Sequence, residues 1–227
     1  MIPVAKTWNE KQKSIKNMLL SQKAFDKGMG ILLEMHSLLH IKKVYKTNAE
    51  TFYDNLWENL KEDTCKIISN KETSILWNIW HITRIEDLIA NIVIGNKDGI
   101  FNKDVQKELN VKIKDTANVM THEEMEVFDK NINIKALNEY RVKVGKSTKK
   151  ILEGLEYSDM KIKAKKEHME KIYKCGGVLD TTSWLLDFWG KKNIYGLIMM
   201  PITRHQIVHL NDCFKIKAKF NDIVPVV

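Results

Sequence analysis

Apolar positions recur along this chain at helical spacing. Trp77, His81, Ile85, Leu88 and Ile92 stand at intervals of four, four, three and four, which places them on one stripe. The stripe predicts a helix from about Thr73 to Ile94, ended by Gly95. The stretch from Trp8 to about Ile41 also reads as helix, interrupted near Gly28 or Gly30, with a core-forming second part from Ile31 to His40. A short helix is expected from Thr51 to Leu60. Thr121-His122-Glu123-Glu124 has capping-box spacing and starts another. Further helices are expected over Ile134 to Leu152, around His168, and from Val178 to Trp189. Pro201 suits a first helical turn, so the last long helix is placed from Pro201 to Lys215. Ile216 to Val227 alternates and predicts a short strand or an extended segment. No linker demands a second domain, so residues 1–227 are read as one all-α domain. Long helices with short extra helices in the crossovers make a four-helix bundle the expected architecture.

Composition supports helices over a many-turned β fold. The chain has 227 residues, 44% of them hydrophobic, with only 10 Gly and 3 Pro. Its three cysteines, Cys65, Cys175 and Cys213, are far apart and form no C-x-x-C, so neither a disulfide frame nor a cysteine zinc site is suggested. A reducing, cytoplasmic setting fits. The first residues, Met1 to Lys6, lack the apolar core of a signal peptide, and no apolar run is long enough to span a membrane. The net charge of +8 raises the question of nucleic acid. Only Arg84, Arg141 and Arg204 among the 37 basic residues are arginine, the side chain suited to bidentate contacts. Scattered lysine is a solvated surface, and nucleic-acid binding is not expected.

Histidine carries the candidate chemistry. His36 with His40, and His205 with His209, stand at i, i+4, where both imidazoles share one helix face and can grip one ion. His81 lies on the apolar stripe and points inward. It is either a core histidine bonded to a neighbouring group or a ligand. Three neutral imidazoles would leave an open coordination position, and they suit zinc, nickel or iron. Arg84 and Arg204 flank the candidate ligands and would suit an anionic substrate, or Arg84 would pair with Glu86 or Asp87. Glu86 and Asp87 are candidate acceptors for a ligand N–H, or solvated charges. His36 and His40 form a competing site, supply a fourth ligand through His40, or line the core. Trp77, Trp80, Trp184 and Trp189 read as core, and His122 and His168 as exposed. No Gly-rich phosphate loop, G-x-S-x-G or H-E-x-x-H is present.

Trp77-Asn78-Ile79-Trp80-His81-Ile82-Thr83-Arg84-Ile85-Glu86-Asp87 resembles the second-helix motif of the DinB-like superfamily. Met200-Pro201-Ile202-Thr203-Arg204-His205-Gln206-Ile207-Val208-His209-Leu210-Asn211 resembles its last-helix H-x-x-x-H motif. The similarity covers about residues 23–216. It implies a four-helix bundle, often a homodimer, with a divalent metal on His81, His205 and His209. Characterised members include transferases and isomerases that use low-molecular-weight thiols such as bacillithiol or mycothiol. The expectation is therefore a metal-dependent enzyme acting on a small molecule, foremost a thiol S-transferase. Hydrolysis with a metal-activated water and a non-catalytic metal-binding stress-response protein are the alternatives. The His36–His40 pair lies outside the three-histidine pattern.

Overall fold

The computed structural model describes residues 5–68 and 73–222. It is all-helical, with no strand among the described residues; an isolated bridge joins Lys163 and Asn193. Helices α1 (Ala5–Leu19) and α2 (Phe25–Leu39) form an antiparallel pair that precedes the short helices α3 (Phe52–Trp57) and α4 (Glu62–Cys65). The break between α1 and α2 falls at residues 20–24, earlier than Gly28 or Gly30. Gly28 serves instead as the contact point. A Cβ there would come within 2.8 Å of Met18 Cβ, so its bare backbone lets α2 fold back closely on α1.

Helix α5 (Ile75–Glu86) is central, and every one of its residues is buried. Ser74 caps it by accepting a hydrogen bond from Trp77 N–H at 3.0 Å. It continues as a π-helical segment, Asp87–Ile94, and ends where Gly95 N–H donates to the Ala90 carbonyl at 2.8 Å. The polar stretch that follows carries α6 (Lys103–Leu109) and α7 (His122–Asn131), the latter opened by the expected Thr121–Glu124 capping box. Helix α8 (Ile134–Glu153) packs on α2, α5 and the π segment. Next come α9 (Lys166–Lys174) and α10 (Trp184–Gly190). The latter starts later than Val178, because a 3-10 turn at Asp180–Thr182, closed by Leu179 N–H onto Thr182 Oγ1, intervenes.

The last helical run starts before Pro201. Asn193 caps α11 (Ile194–Leu197), a π segment spans Ile198–Arg204 with Pro201 inside it, and α12 (His205–Phe220) follows. Pro201 has no N–H to donate to the preceding turn, and the wide π segment accommodates its ring. Gln12 Nε2 at 2.7 Å and Thr203 Oγ1 at 3.0 Å donate to the Met199 carbonyl. Residues 216–220 are helical rather than extended; their pattern is a helix face with Ile216 buried against the core. Residues 223–227 of the expected strand lie outside the described residues. Among the described residues, no helix is long and apolar enough to cross a membrane.

Candidate metal centre

The packing of α12 against α5 brings His81, His205 and His209 together. Their ring centroids lie 5.0 Å (His81–His205), 4.7 Å (His81–His209) and 4.5 Å (His205–His209) apart. One ring nitrogen from each lies within 4.8 Å of the others. The Nε2 atoms of His81 and His205 are 3.2 Å apart. Two imidazole nitrogens bound to one tetrahedral zinc would stand about 3.3 Å apart, so this separation already suits a shared ion.

Hydrogen bonds to the far side of two rings set their tautomers. His81 Nδ1 lies 2.6 Å from the Thr116 carbonyl oxygen. A carbonyl only accepts, so Nδ1 carries the proton and Nε2 presents its lone pair to the centre. His209 Nδ1 lies 2.7 Å from Asn78 Oδ1. The Asn78 amide is oriented by its own Nδ2, which donates to the Ser74 carbonyl at 2.7 Å and to Thr73 Oγ1 at 3.2 Å. Oδ1 is thereby the atom that faces His209, and His209 Nδ1 is the donor.

A strap of chain holds this face of α5. The four successive carbonyls from Lys114 to Ala117 accept side-chain hydrogen bonds from Arg84, Trp80, His81 and Trp77 in turn. Ala117 sits at φ 60°, a left-handed conformation that is costly for a non-glycine residue and is stabilised here by Asp115 Oδ1 accepting its N–H. The Trp77 indole stacks on His81 at 4.6 Å and 11°. Burial pushes His81 down to about 3, and neighbouring His209 adds to this. Burial, with His81 and His209, likewise holds His205 well below the usual imidazole range. Both stay neutral at physiological pH, the state a metal requires. His81 is only 3% exposed, while His205 and His209 are partly exposed, so the centre has a solvent-facing side.

The other expected residues fall elsewhere. Arg84 is buried; it donates to the Lys114 carbonyl at 2.7 Å, lies 3.4 Å from Asp87 Oδ2 and covers the Phe101 ring. Arg204 is exposed, beside Gln12, Tyr195 and Met199. Asp87 accepts from Tyr140, Asn91, and the Ile100 and Phe101 N–H groups, so it anchors a loop and not a ligand ring. Glu86 is fully buried and faces His36 and His40, which form a second cluster with it. Burial opposes the charge on Glu86, but the adjacent His40 and His36 hold its carboxyl well below the usual range. His168, expected at the surface, is buried with Nε2 3.2 Å from Asn96 Oδ1, whereas Trp184, expected in the core, is 55% exposed. Asn78 and Thr116 went unread in the sequence. Asn78 had a signal, standing three residues before His81 on the same helix, but the Thr116 carbonyl had none. No protein-family model matches the chain, and neither does any curated protein or solved structure.

Proposed function

We propose that this chain is a metal-dependent enzyme of the DinB-like kind, a four-helix bundle that holds a divalent metal on His81, His205 and His209. The observation that carries the reading is the convergence of three ring nitrogens whose tautomers, at His81 and His209, are already set by Thr116 and Asn78. Zinc and nickel suit three imidazoles best, and iron is the other candidate. The partly exposed side at His205 and His209 favours an exogenous ligand over a fourth protein ligand. A metal bound there supplies Lewis acidity that favours the thiolate form of a low-molecular-weight thiol. The chain's own residues do the rest. Asn78 and the Thr116 carbonyl aim the rings, and Trp77 shields His81 from water. Arg204, exposed and adjacent to His205, offers a guanidinium to a carboxylate on the thiol or its acceptor. In the proposed reaction the thiol sulfur forms a bond to an electrophilic carbon, the thiol proton passes to solvent and the acceptor's leaving group departs with its bonding pair; the enzyme is proposed to act as a cytoplasmic homodimer.

Metal-reconstituted protein assayed with small thiols and electrophiles tests this. Conjugation that requires the metal and is lost in His205→Ala is expected. Tight metal binding without thiol turnover refutes the transferase. Ester or amide hydrolysis in the same samples would then support the hydrolase, and no turnover of either kind would support a non-catalytic metal-binding protein.

A further inference from the structure

A second group of ligand-type atoms lies on the α2 side of α5. His36 lies in the last turn of α2 and His40 follows its end in extended conformation, with ring centroids 4.3 Å apart, and Glu86 reaches them from the end of α5. Each carboxylate oxygen faces one ring: Glu86 Oε1 is 2.9 Å from His36 Nε2, and Oε2 is 3.1 Å from His40 Nε2. All three side chains are at 0% exposure.

The two halves of the cluster differ. His36 Nε2 bonds Glu86 Oε1 properly, and His36 Nδ1 meets Tyr45 Oη at 2.8 Å. His40 Nε2 and Glu86 Oε2 are close but misaligned, and neither has a hydrogen-bond partner among the described residues. His40 Nδ1 has none either. That ring is pressed against α8, where a Cβ on Gly145 would come within 2.5 Å of Nδ1. Buried polar atoms without well-aligned partners are costly, and two of these, His40 Nε2 and Glu86 Oε2, stand 3.1 Å apart in the same cluster as the His36 Nε2–Glu86 Oε1 contact, with a ligand-type atom from each of the three residues within 4.8 Å of the others.

We infer that His36, His40 and Glu86 form a second divalent-metal site, separate from the His81–His205–His209 centre. Two imidazoles and both oxygens of one carboxylate provide four donors, a set that suits zinc or cobalt. Tyr45 holds the outer nitrogen of His36, as an outer partner of a ligand histidine does. Full burial leaves no side for substrate, so this ion is structural: it pins α2 to the end of α5, at the point where α5 passes into its π segment. A closed site of this kind fills as the chain folds.

The test is zinc stoichiometry on full-length protein unfolded with chelator and refolded with zinc. Wild type is expected to hold two ions per chain and His205→Ala/His209→Ala one. In Glu86→Gln, whose shape is kept while the charge is lost, the stoichiometry is expected to fall by one relative to wild type. Zinc is also expected to raise the Tm of the double variant, and not that of the triple variant that adds Glu86→Gln. An unchanged stoichiometry in Glu86→Gln overturns the inference, as does a folded double variant that binds no zinc. A wild type that holds one ion, retained in the double variant, upholds this site and refutes the three-histidine centre.

Discussion

Asn78 offers a sharp perturbation of the three-histidine centre because it touches a ligand without being one. Its Oδ1 accepts from His209 Nδ1 at 2.7 Å, and its Nδ2 is spent on the Ser74 carbonyl and Thr73. Asn78→Ala removes the acceptor and frees the His209 ring to rotate or to change tautomer. Loss of such an outer partner costs 10–100-fold in metal affinity, or about 1.4–2.7 kcal/mol. In the metal-free protein three side-chain hydrogen bonds of a residue only 1% exposed are lost, at about 1 kcal/mol of folding stability each. Chelator competition at neutral pH measures the first effect and urea unfolding of the metal-free protein the second. Asn78→Asp keeps an acceptor facing His209 Nδ1 and should recover most of the affinity but not the stability, because its second oxygen meets the Ser74 carbonyl where Asn78 places a donor. Two results would refute the reasoning: wild-type affinity in a folded Asn78→Ala protein, or an affinity loss that Asn78→Asp does not relieve.

Four further outcomes are expected. Burial pushes Asp129 up to about 7, against the opposing hydrogen bond from Ser74 Oγ at 2.9 Å. Between pH 4 and pH 7 the folded chain therefore keeps a proton that the unfolded chain releases, and stability falls as pH rises through that window. Asp129→Asn should gain on wild type by up to about 4 kcal/mol across it, as read by urea unfolding at several pH values; a pH-independent difference contradicts this. Gly145→Ala places a Cβ 2.5 Å from His40 Nδ1 and should destabilise by about 1–3 kcal/mol, despite a helix-propensity gain of about 1 kcal/mol; a more stable variant would show that His40 is free to move. Arg84→Ala should cost about 3–5 kcal/mol because it removes the buried cation beside Asp87 and the side-chain donor to the Lys114 carbonyl. Arg204→Ala should leave stability within about 0.5 kcal/mol and raise KM for an anionic thiol; equal stabilities for the two arginine variants contradict the assignment.

The helix through His81 was legible because its apolar stripe and the terminating Gly95 agree with one another; its Ser74 cap emerged only from the structure. The pairing of His205 with His209 was legible for the same reason, since i, i+4 spacing fixes a shared face whatever surrounds it. Pro201 misled because its fixed φ suits a first helical turn, whereas here it sits inside a π segment that runs on from α11. Gly28 misled because glycine signals both a break and a close approach, and the sequence does not tell them apart. Glu86 and Asp87 were ambiguous as neighbours on a helix. Their fates diverge because α2 covers one and the Gly99–Phe101 loop folds over the other. The Thr116 carbonyl lay beyond sequence reasoning, since any residue type has a carbonyl and only the strap from Lys114 to Ala117 places it.

The most direct measurement of the central claim is an anomalous difference map, at the zinc absorption edge, from crystals of the zinc-loaded full chain. The expected result is a peak at about 2.0–2.1 Å from ring nitrogens of His81, His205 and His209. No peak among those three rings in the zinc-loaded protein, or a His209 ring that leaves Asn78 and turns away from His81 and His205, would contradict the three-histidine centre.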